Sequence, residues 1–309
     1  MKLSDFSYEQ AFDRNLGWLT ENEQAKLRNS CVAIAGLGGA GGFQAQALAR
    51  LGVGRFRIAD LDTFELTNIN RQIGASVDTI GQSKVPVIRD MILAINPGAE
   101  VETFTEGITA NSIDRFLESV ELVLDGIDFF AQNTKLLLFQ KSRQKGLSII
   151  TACPLGFGAS VIIFSPSGMK YEDYFDLRSN MSEKEMRIAS TFGLSPSPLC
   201  LSYMDKKALD LNGKRASSVV PGLMLVAAFS GTEAVKILTG KYRTHYCPHI
   251  FQIDLLTQSV KKKYYPFGMK SPLQRFKKWL LLTLMNSQVY YLLRPRKFTN
   301  SQVTEQITR

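Results

Sequence analysis

The sequence is poor in the residues that build metal sites and disulfide frameworks. It has four cysteines and two histidines in 309 residues, and no CxxC pair. A four-thiolate zinc site of the usual spacing is therefore excluded. His245, Cys247 and His249 alternate along one segment, but residues on one strand face rarely complete a tetrahedral site alone. Few, unpaired cysteines are typical of a reducing compartment, so we expect a cytoplasmic protein without structural zinc.

Two further absences narrow the function. The N-terminal residues MKLSDFSYEQAF contain no apolar core, so the sequence predicts no signal peptide. No G-x-x-x-x-G-K-[ST] motif is present, which excludes a P-loop protein. The hydrophobic content of 45% is ordinary for a globular protein.

A glycine-rich turn follows a short apolar run near the N-terminus. The run CVAIA (31–35) is typical of a buried parallel strand, and an Ala-rich helix is predicted from about residue 40. Gly36, Gly38 and Gly41 satisfy G-x-G-x-x-G between these two elements. Such a turn lets backbone N–H groups approach phosphate oxygens, and Asp60 ends the next strand where an acid accepts from a ribose hydroxyl. The motif alone fits NAD, FAD or ATP, and glycines that only pack a helix onto a sheet are the alternative explanation.

Cations and carboxylates beyond these strands favour a triphosphate. Arg71 follows the second strand, Lys84 comes thirteen residues later, and Arg14 lies near the N-terminus. Cationic clamps stabilise charge at a reacting phosphoryl group. The run ELVLDGIDFF (121–130) predicts a buried strand that ends at Asp125-Gly126-Ile127-Asp128. A carboxylate at that strand end is a natural Mg²⁺ ligand beside substrate phosphates.

Several ordered motifs together indicate a family. The chain resembles the ThiF/MoeB/HesA superfamily, the bacterial relatives of ubiquitin-activating enzymes, over roughly residues 8–240. The resemblance rests on AFDRNLG, GLGGAGG, ADLD, TNINRQ, GQSK, DGID and VVPGLMLVAAFSGTEAVKIL. It implies a doubly wound, Rossmann-like, mostly parallel α/β sheet with a C-terminal antiparallel extension.

The resemblance also implies a role for each motif residue. Asp128 resembles the Mg²⁺ carboxylate, Lys84 the lysine that grips the phosphates, and Arg14 an arginine lent to the neighbouring subunit of a homodimer. The alternative explanation is that Arg14 and Lys84 are ordinary surface charges. The alternative for Asp128 is that it caps the N-terminus of a helix. The remaining positions are expected to bind ATP, with Arg71 acting on the phosphates: Gly36, Gly38, Gly39, Gly41, Asp60, Asp62, Asn68, Asn70, Arg71 and Gln72.

The implied reaction is adenylation, in which a substrate carboxylate attacks ATP and pyrophosphate leaves. The substrate is expected to be the C-terminus of a ubiquitin-like or sulfur-carrier protein, or a peptide. A tRNA threonylcarbamoyladenosine dehydratase is the alternative enzyme, and a catalytically inactive nucleotide-binding scaffold is the alternative of another class. Some relatives pass the acyl group to a cysteine, and Cys200 is the candidate thiol, although free cysteines are often small buried hydrophobes.

Three segments are predicted along the chain. Residues 1–30 form an N-terminal helical segment, with Thr20 as N-cap and Glu23 three residues later. Residues 31–265 form the ATP-binding adenylation domain, interrupted at about 166–216 by a crossover segment that faces the substrate. Residues 266–309 form a basic amphipathic tail.

The positive charge of the chain is concentrated in that tail. The whole chain carries a net charge of +9. Residues 255–304 contain ten lysines or arginines and no acidic residue. The apolar stretch 279–293 is too short to span a bilayer. Three interpretations stay open: a helix on an anionic membrane surface, a helix packed on the body or a partner, and a contact with nucleic acid such as tRNA.

Overall fold

The computed structural model describes residues 6–205 and 217–286. The chain divides into two compact units, residues 1–269 and residues 270–309.

The first unit is built on one eight-stranded sheet with the order β3-β2-β1-β4-β5-β6-β7-β8. The neighbouring strands β3, β2, β1, β4 and β5 run parallel to one another. The pairs β5–β6, β6–β7 and β7–β8 are antiparallel. The predicted doubly wound α/β sheet with an antiparallel extension is therefore confirmed. The strands are β1 Cys31–Ala35, β2 Arg55–Ala59, β3 Glu100–Phe104, β4 Leu122–Asp125, β5 Ser148–Leu155, β6 Gly158–Phe164, β7 His249–Asp254 and β8 Ser259–Tyr264.

The described residues form ten α-helices. The first nine belong to the first unit and the last belongs to the second. They are α1 Tyr8–Ala11, α2 Glu21–Asn29, α3 Gly39–Arg50, α4 Lys84–Ile95, α5 Ile113–Phe116, α6 Gln132–Gln144, α7 Tyr171–Phe175, α8 Glu183–Leu194, α9 Val220–Thr239 and α10 Pro272–Asn286.

The central strand β1 is buried on both faces, as its uninterrupted apolar sequence predicts. Val32 and Ile34 belong to one hydrophobic core, which also includes residues of α3 and α9. Ala33 and Ala35 point to the opposite core, which includes residues of α6 and α7. Because successive side chains of a strand alternate between faces, one short run of sequence joins two cores.

Local signals set the helix ends. The Thr20 side chain accepts from the N–H of Glu23, and the Glu23 carboxylate accepts from the N–H of Thr20, so the predicted capping box is observed. Pro221 lies in the first turn of α9, and Gly240 ends this helix with φ +73°. By length and composition alone α9 could cross a membrane, but it packs against α3, β5 and β6 in the first core.

The segment predicted as a crossover contains more regular structure than its sequence suggested. Within 166–216 the structure places α7, α8 and a 3₁₀ turn at Leu199–Ser202, and residues 206–216 lie outside the described part. Strand β8 forms the open edge of the sheet and exposes Lys261, Lys262 and Lys263.

The second unit contains α10. This helix begins at Pro272, and the Ser271 hydroxyl accepts from the N–H of Gln274 at 3.3 Å. The predicted basic helix is thus observed up to Asn286, and the rest of the predicted tail, residues 287–309, lies outside the described residues.

Candidate functional site

The glycine turn between β1 and α3 has no room for side chains. Gly36 has φ +84°, and a Cβ atom there would lie 2.4 Å from the carbonyl oxygen of Gly126. A Cβ atom at Gly41 would lie 1.7 Å from the carbonyl oxygen of Gly36. Glycine is therefore required at these positions by backbone conformation and by close approach.

The same turn ends in an open helix N-terminus. Gly38 is the N-cap of the twelve-residue helix α3 and provides no side-chain cap. The N–H groups of the first turn carry partial positive charge and point toward the carboxyl end of the sheet. The strand order reverses between β1 and β4. The crevice outside the carboxyl ends of these two strands is the usual ligand site of an open α/β sheet.

Asp60 ties the end of β2 to the glycine turn. Its Oδ2 accepts from the N–H of Leu37 at 2.6 Å, and its Oδ1 accepts from the N–H of Asp62 at 2.8 Å. Each carboxylate oxygen retains a further acceptor position, so the arrangement is compatible with a ribose hydroxyl. The ribose role stays a prediction.

The loop after β2 lies against the glycine turn. A Cβ atom at Gly39 would lie 3.4 Å from the carbonyl oxygen of Arg71, and one at Gly38 would lie 3.6 Å from Nε2 of Gln72. Gln72 is buried, and its Oε1 has no hydrogen-bond partner among the described residues. An unpaired acceptor beside this turn fits a ligand that donates a hydrogen bond.

The other residues of this loop hold it in shape. The Asn68 side chain is buried and accepts from the N–H of Glu65. A guanidinium nitrogen of Arg71 donates to the carbonyl oxygen of Thr67 at 2.6 Å and to Oδ1 of Asn70 at 3.0 Å. The amide of Asn70 donates to the carbonyl oxygen of Ser218, just before α9.

Lys84 is buried and paired. Its Nζ lies 2.9 Å from Oδ2 of Asp62, with 7% of the lysine side chain and 57% of the aspartate side chain exposed. The N–H of Lys84 also donates to the carbonyl oxygen of Asp62 at 3.0 Å. The sequence alone suggested that Lys84 grips phosphate, and the structure adds a carboxylate that balances its charge.

The turn after β4 presents one carboxylate and buries another. Asp128 is exposed, and its Oδ1 accepts from the N–H of Phe130 at 2.8 Å. Asp125 is buried, and both of its oxygens accept from Nζ of Lys135 at 2.8 Å. The Thr151 hydroxyl donates to Asp125 as well. The sequence alone gives no signal for Lys135, because it lies ten residues after Asp125, across the boundary from the strand end into a helix.

These residues fit a nucleotide and Mg²⁺. The crowded glycine turn, the open N-terminus of α3 and the unpaired Oε1 of Gln72 converge on one place. No group of three or more potential metal ligands occurs among the described residues. Asp128 alone would supply a carboxylate, which suits Mg²⁺ because this ion is held by one or two carboxylates and by substrate phosphates.

Two of the predicted residues, Arg14 and Cys200, lie on other turns of the chain. Arg14 is exposed on a 3₁₀ turn, Asp13–Asn15, near the exposed side chains of Leu16 and Trp18. Cys200 lies on the turn at Leu199–Ser202 and is half-buried, and burial raises the pKa of its thiol. A thiol with a raised pKa is a weak nucleophile near neutral pH.

The end of the crossover is held by a tyrosine. The Tyr203 hydroxyl donates to Oδ2 of Asp254 at 2.6 Å and accepts from the N–H of Phe157 at 3.0 Å. Burial, followed by the hydrogen bond to Asp254, raises the pKa of Tyr203 to about 12. The sequence gave no signal for the contact between Tyr203 and Asp254, which are 51 positions apart.

The His-Cys-His triplet does not converge on a point. Cys247 is buried in the second core, whereas the rings of His245 and His249 lie 5.2 Å apart, and Nε2 of His245 lies 3.0 Å from Nζ of Lys262. The expected lack of zinc stays a prediction.

Comparisons with known proteins identify the family of the chain. A model of the ThiF family matches residues 12–268. The tRNA threonylcarbamoyladenosine dehydratase of Bacillus subtilis is 34% identical over 142 residues, which cover 46% of this chain and 55% of that protein. The protein HesA of Nostoc sp. is 32% identical over 243 residues, which cover 79% of this chain and 84% of that protein.

A solved structure shows the same fold. The crystal structure of Escherichia coli MccB with ATP has a TM-score of 0.61 and 20% sequence identity, covering 85% of this chain and 72% of that chain. The alignment with the dehydratase, in contrast, spans only about half of that relative, 55% of its length.

Proposed function

Since the chain belongs to the ThiF family, we propose that it is an ATP-dependent adenylyltransferase that activates a substrate carboxylate. The proposed reaction joins the carboxylate to the α-phosphorus of ATP and releases pyrophosphate. It agrees with the resemblance read from the motifs.

One contact carries the proposal. The glycine turn after β1 and the turn after β4 touch through Gly36 and Gly126. The contact brings the glycine turn next to the turn that carries the exposed Asp128, at the crevice where the strand order reverses. A nicotinamide or flavin enzyme has no comparable need for a carboxylate next to the phosphates.

Each part of the site has a physical role in this reaction. The N–H groups at the start of α3 bind phosphate oxygens, and Arg71 and Lys84 supply positive charge. Asp128 would hold Mg²⁺, which would neutralise phosphate charge when bound. Little covalent work is left for the protein, so positioning and electrostatic stabilisation account for the rate.

The substrate of the proposed reaction is the carboxylate of a carrier protein or peptide. The family supports this substrate class, and the fold shared with MccB, whose crystal structure contains ATP, supports the nucleotide. We also propose a cytoplasmic location, because all four cysteines are free.

A homodimer completes the proposal. Arg14 would reach the nucleotide site of a second copy of the chain. The exposed Leu16 and Trp18, with 38% and 84% of each residue accessible, give the same loop an apolar surface that a partner could cover.

Isotope exchange between ATP and pyrophosphate tests the activity. Purified full-length chain is offered carrier-protein C-termini, peptides and tRNA in separate reactions. The substrate class that stimulates exchange is the one activated. Arg71→Ala and Asp128→Ala should each lower exchange by about 10²–10³-fold, as the loss of one stabilising contact does.

Arg89→Ala is the matched control for these variants. Arg89 is a half-exposed arginine of α4 whose only ion pair in the described chain is with its neighbour Asp90, so exchange should be unchanged. Full exchange in Arg71→Ala or Asp128→Ala would remove that residue from the site. Absence of exchange with all three substrate classes would contradict adenylation.

The dehydratase is the second candidate, and the 34% identity to the Bacillus subtilis enzyme favours it. Exchange stimulated by tRNA alone, together with tRNA binding that weakens with salt, would select this alternative. An inactive scaffold is disfavoured because Arg71, Lys84 and Asp128 are all retained.

A further inference from the structure

Helix α10 exposes an apolar face. Leu273, Phe276, Trp279 and Leu280 are exposed by 60%, 55%, 59% and 41%. Their spacing of three to four residues places them along one side of the helix. The rings of Phe276 and Trp279 lie 5.8 Å apart and form the centre of this face. These four residues are called the α10 apolar face below.

Cations surround this face. Arg275 and Lys277 flank it on the helix surface and are exposed, and Lys278 lies farther round the helix. The whole of residues 255–304 contains no acidic side chain. In the described part of α10, an apolar stripe flanked by arginine and lysine is therefore complementary to a surface that is apolar inside and negatively charged outside.

We infer that α10 lies in the interface of an anionic membrane, with the α10 apolar face among the acyl chains and the cations at the headgroups. Aromatic and leucine side chains on one face with Lys and Arg beside them are the pattern of interfacial helices. Cations near an anionic leaflet add electrostatic attraction to it.

The helix is suited to lying on the bilayer and not to crossing it. The described part of the helix, Pro272–Asn286, rises about 22 Å at 1.5 Å per residue, and a hydrocarbon core is roughly 30 Å thick. Lys277 and Lys278 in its middle would also be costly at the bilayer centre.

A lipid surface explains the helix better than nucleic acid does. Phosphates of RNA would satisfy the cations but would leave four adjacent apolar side chains in water. The lipid interface satisfies both groups at once. The inference goes beyond the proposed activity, because it concerns where the enzyme acts and does not depend on adenylation.

Vesicle flotation with the full-length chain tests the inference. One set of vesicles is pure phosphatidylcholine, and the other contains about one-third phosphatidylserine, which supplies the negative surface potential. We expect flotation with the anionic vesicles, little with the neutral ones, and only partial release by salt. The double variant Phe276→Ser/Trp279→Ser should bind the anionic vesicles about tenfold or more weakly, because its apolar contribution is lost.

Leu255→Ser/Leu256→Ser is the matched control. These leucines are 52% and 55% exposed in the turn between β7 and β8, so the variant removes similar apolar surface elsewhere and should float normally. Thermal unfolding of every variant confirms that the body remains folded.

Three results would overturn the inference. The first is failure of the wild-type chain to float with anionic vesicles. The second is flotation that survives Phe276→Ser/Trp279→Ser and is removed by competing tRNA, which would indicate a nucleic-acid surface. The third is self-association, lost in the same variant, without flotation, which would indicate that a second copy covers the α10 apolar face.

Discussion

Lys135 and Asp125 form a buried ion pair beneath the turn that presents Asp128. Both carboxylate oxygens accept from the lysine Nζ at 2.8 Å, and the two side chains are 10% and 1% exposed. The pair connects the end of β4 to the first turn of α6. It also receives the Thr151 hydroxyl from the neighbouring strand β5, so three elements meet at one carboxylate.

Removal of the lysine should destabilise the protein strongly. Lys135→Met leaves Asp125 buried without its counter-ion, which typically costs about 3–5 kcal/mol. The double variant Lys135→Met/Asp125→Asn removes both charges and should recover most of that loss. Denaturant unfolding measures the difference, and Glu9→Gln at an exposed ion pair is the control, with a change below about 1 kcal/mol. Equal stability of the single and double variants would contradict the prediction.

Substitutions of Lys84 and Asp62 should affect ATP–pyrophosphate exchange differently. If Lys84 binds phosphate, Lys84→Ala should lower ATP–pyrophosphate exchange by about 10²-fold or more, because a stabilising cation is lost. Asp62→Asn keeps the cation and should have a much smaller effect. Steady-state kinetics at several ATP concentrations distinguish the two variants. Equal losses would mean that Lys84 only supports Asp62.

Gly36 and Gly146 both have a positive φ, so the same substitution can be compared at the two positions. Gly146 has φ +75° and open space around its Cβ position, whereas Gly36 has φ +84° and meets the backbone of Gly126. Gly146→Ala should therefore cost only about 1–2 kcal/mol of backbone strain. Gly36→Ala adds a steric clash, so we expect a larger loss of stability and no stabilisation by ATP. Thermal unfolding with and without Mg-ATP measures both effects, and an ATP-induced shift in Gly36→Ala as large as that of the wild type would contradict them.

Mixed dimers test the position of Arg14. Arg14→Ala and Arg71→Ala should each be inactive alone if the arginine acts across a homodimer. Mixing and re-associating the two chains should restore about a quarter of wild-type activity, because half of the dimers are mixed and each carries one intact site. Exchange after mixing is the readout. No recovery, although mixed dimers are verified by mass spectrometry, would place Arg14 outside the partner's site.

Cys200 should react slowly near neutral pH. Burial raises the pKa of its thiol above the ordinary value, so the thiolate fraction is smaller than that of an exposed cysteine and increases only at higher pH. Alkylation by iodoacetamide, followed by peptide mass spectrometry from pH 7 to pH 10, measures this. The urea-unfolded chain is the control and should react faster at pH 7. Rapid alkylation of the folded chain at pH 7, or a thiol-sensitive acyl adduct on Cys200, would instead support an acyl-accepting role.

Much of the fold could be predicted because its strands are short apolar runs bounded by turn residues. The strand 31–35 was predicted with the bounds that the structure shows, since all five residues of CVAIA are buried. The pairing of β6 was harder to foresee. The apolar run of Gly158–Phe164 reveals burial but not direction, and only the short turn at Gly156 and Phe157 makes it antiparallel to β5.

The sequence predicts those parts of the candidate site that depend on a single residue, either through its backbone conformation or through its position at the end of a strand. The glycine turn and the carboxylate of Asp128 belong to this class. The pairs Lys135–Asp125 and Tyr203–Asp254 do not, because each joins residues that only the packed fold brings together. Lys84 shows the same limit, since its burial and its partner depend on how α4 meets the end of β2.

The edge strand β8 restricts how two copies of the chain can meet. Among the described strands it is the last one of the sheet, and such borders invite further strands to add. A symmetric meeting of two copies along this border would bring Lys261, Lys262 and Lys263 against the same lysines of the other copy. Repulsion between them opposes a continuous sixteen-stranded sheet joined at β8, so we expect a dimer of this chain to use a different surface.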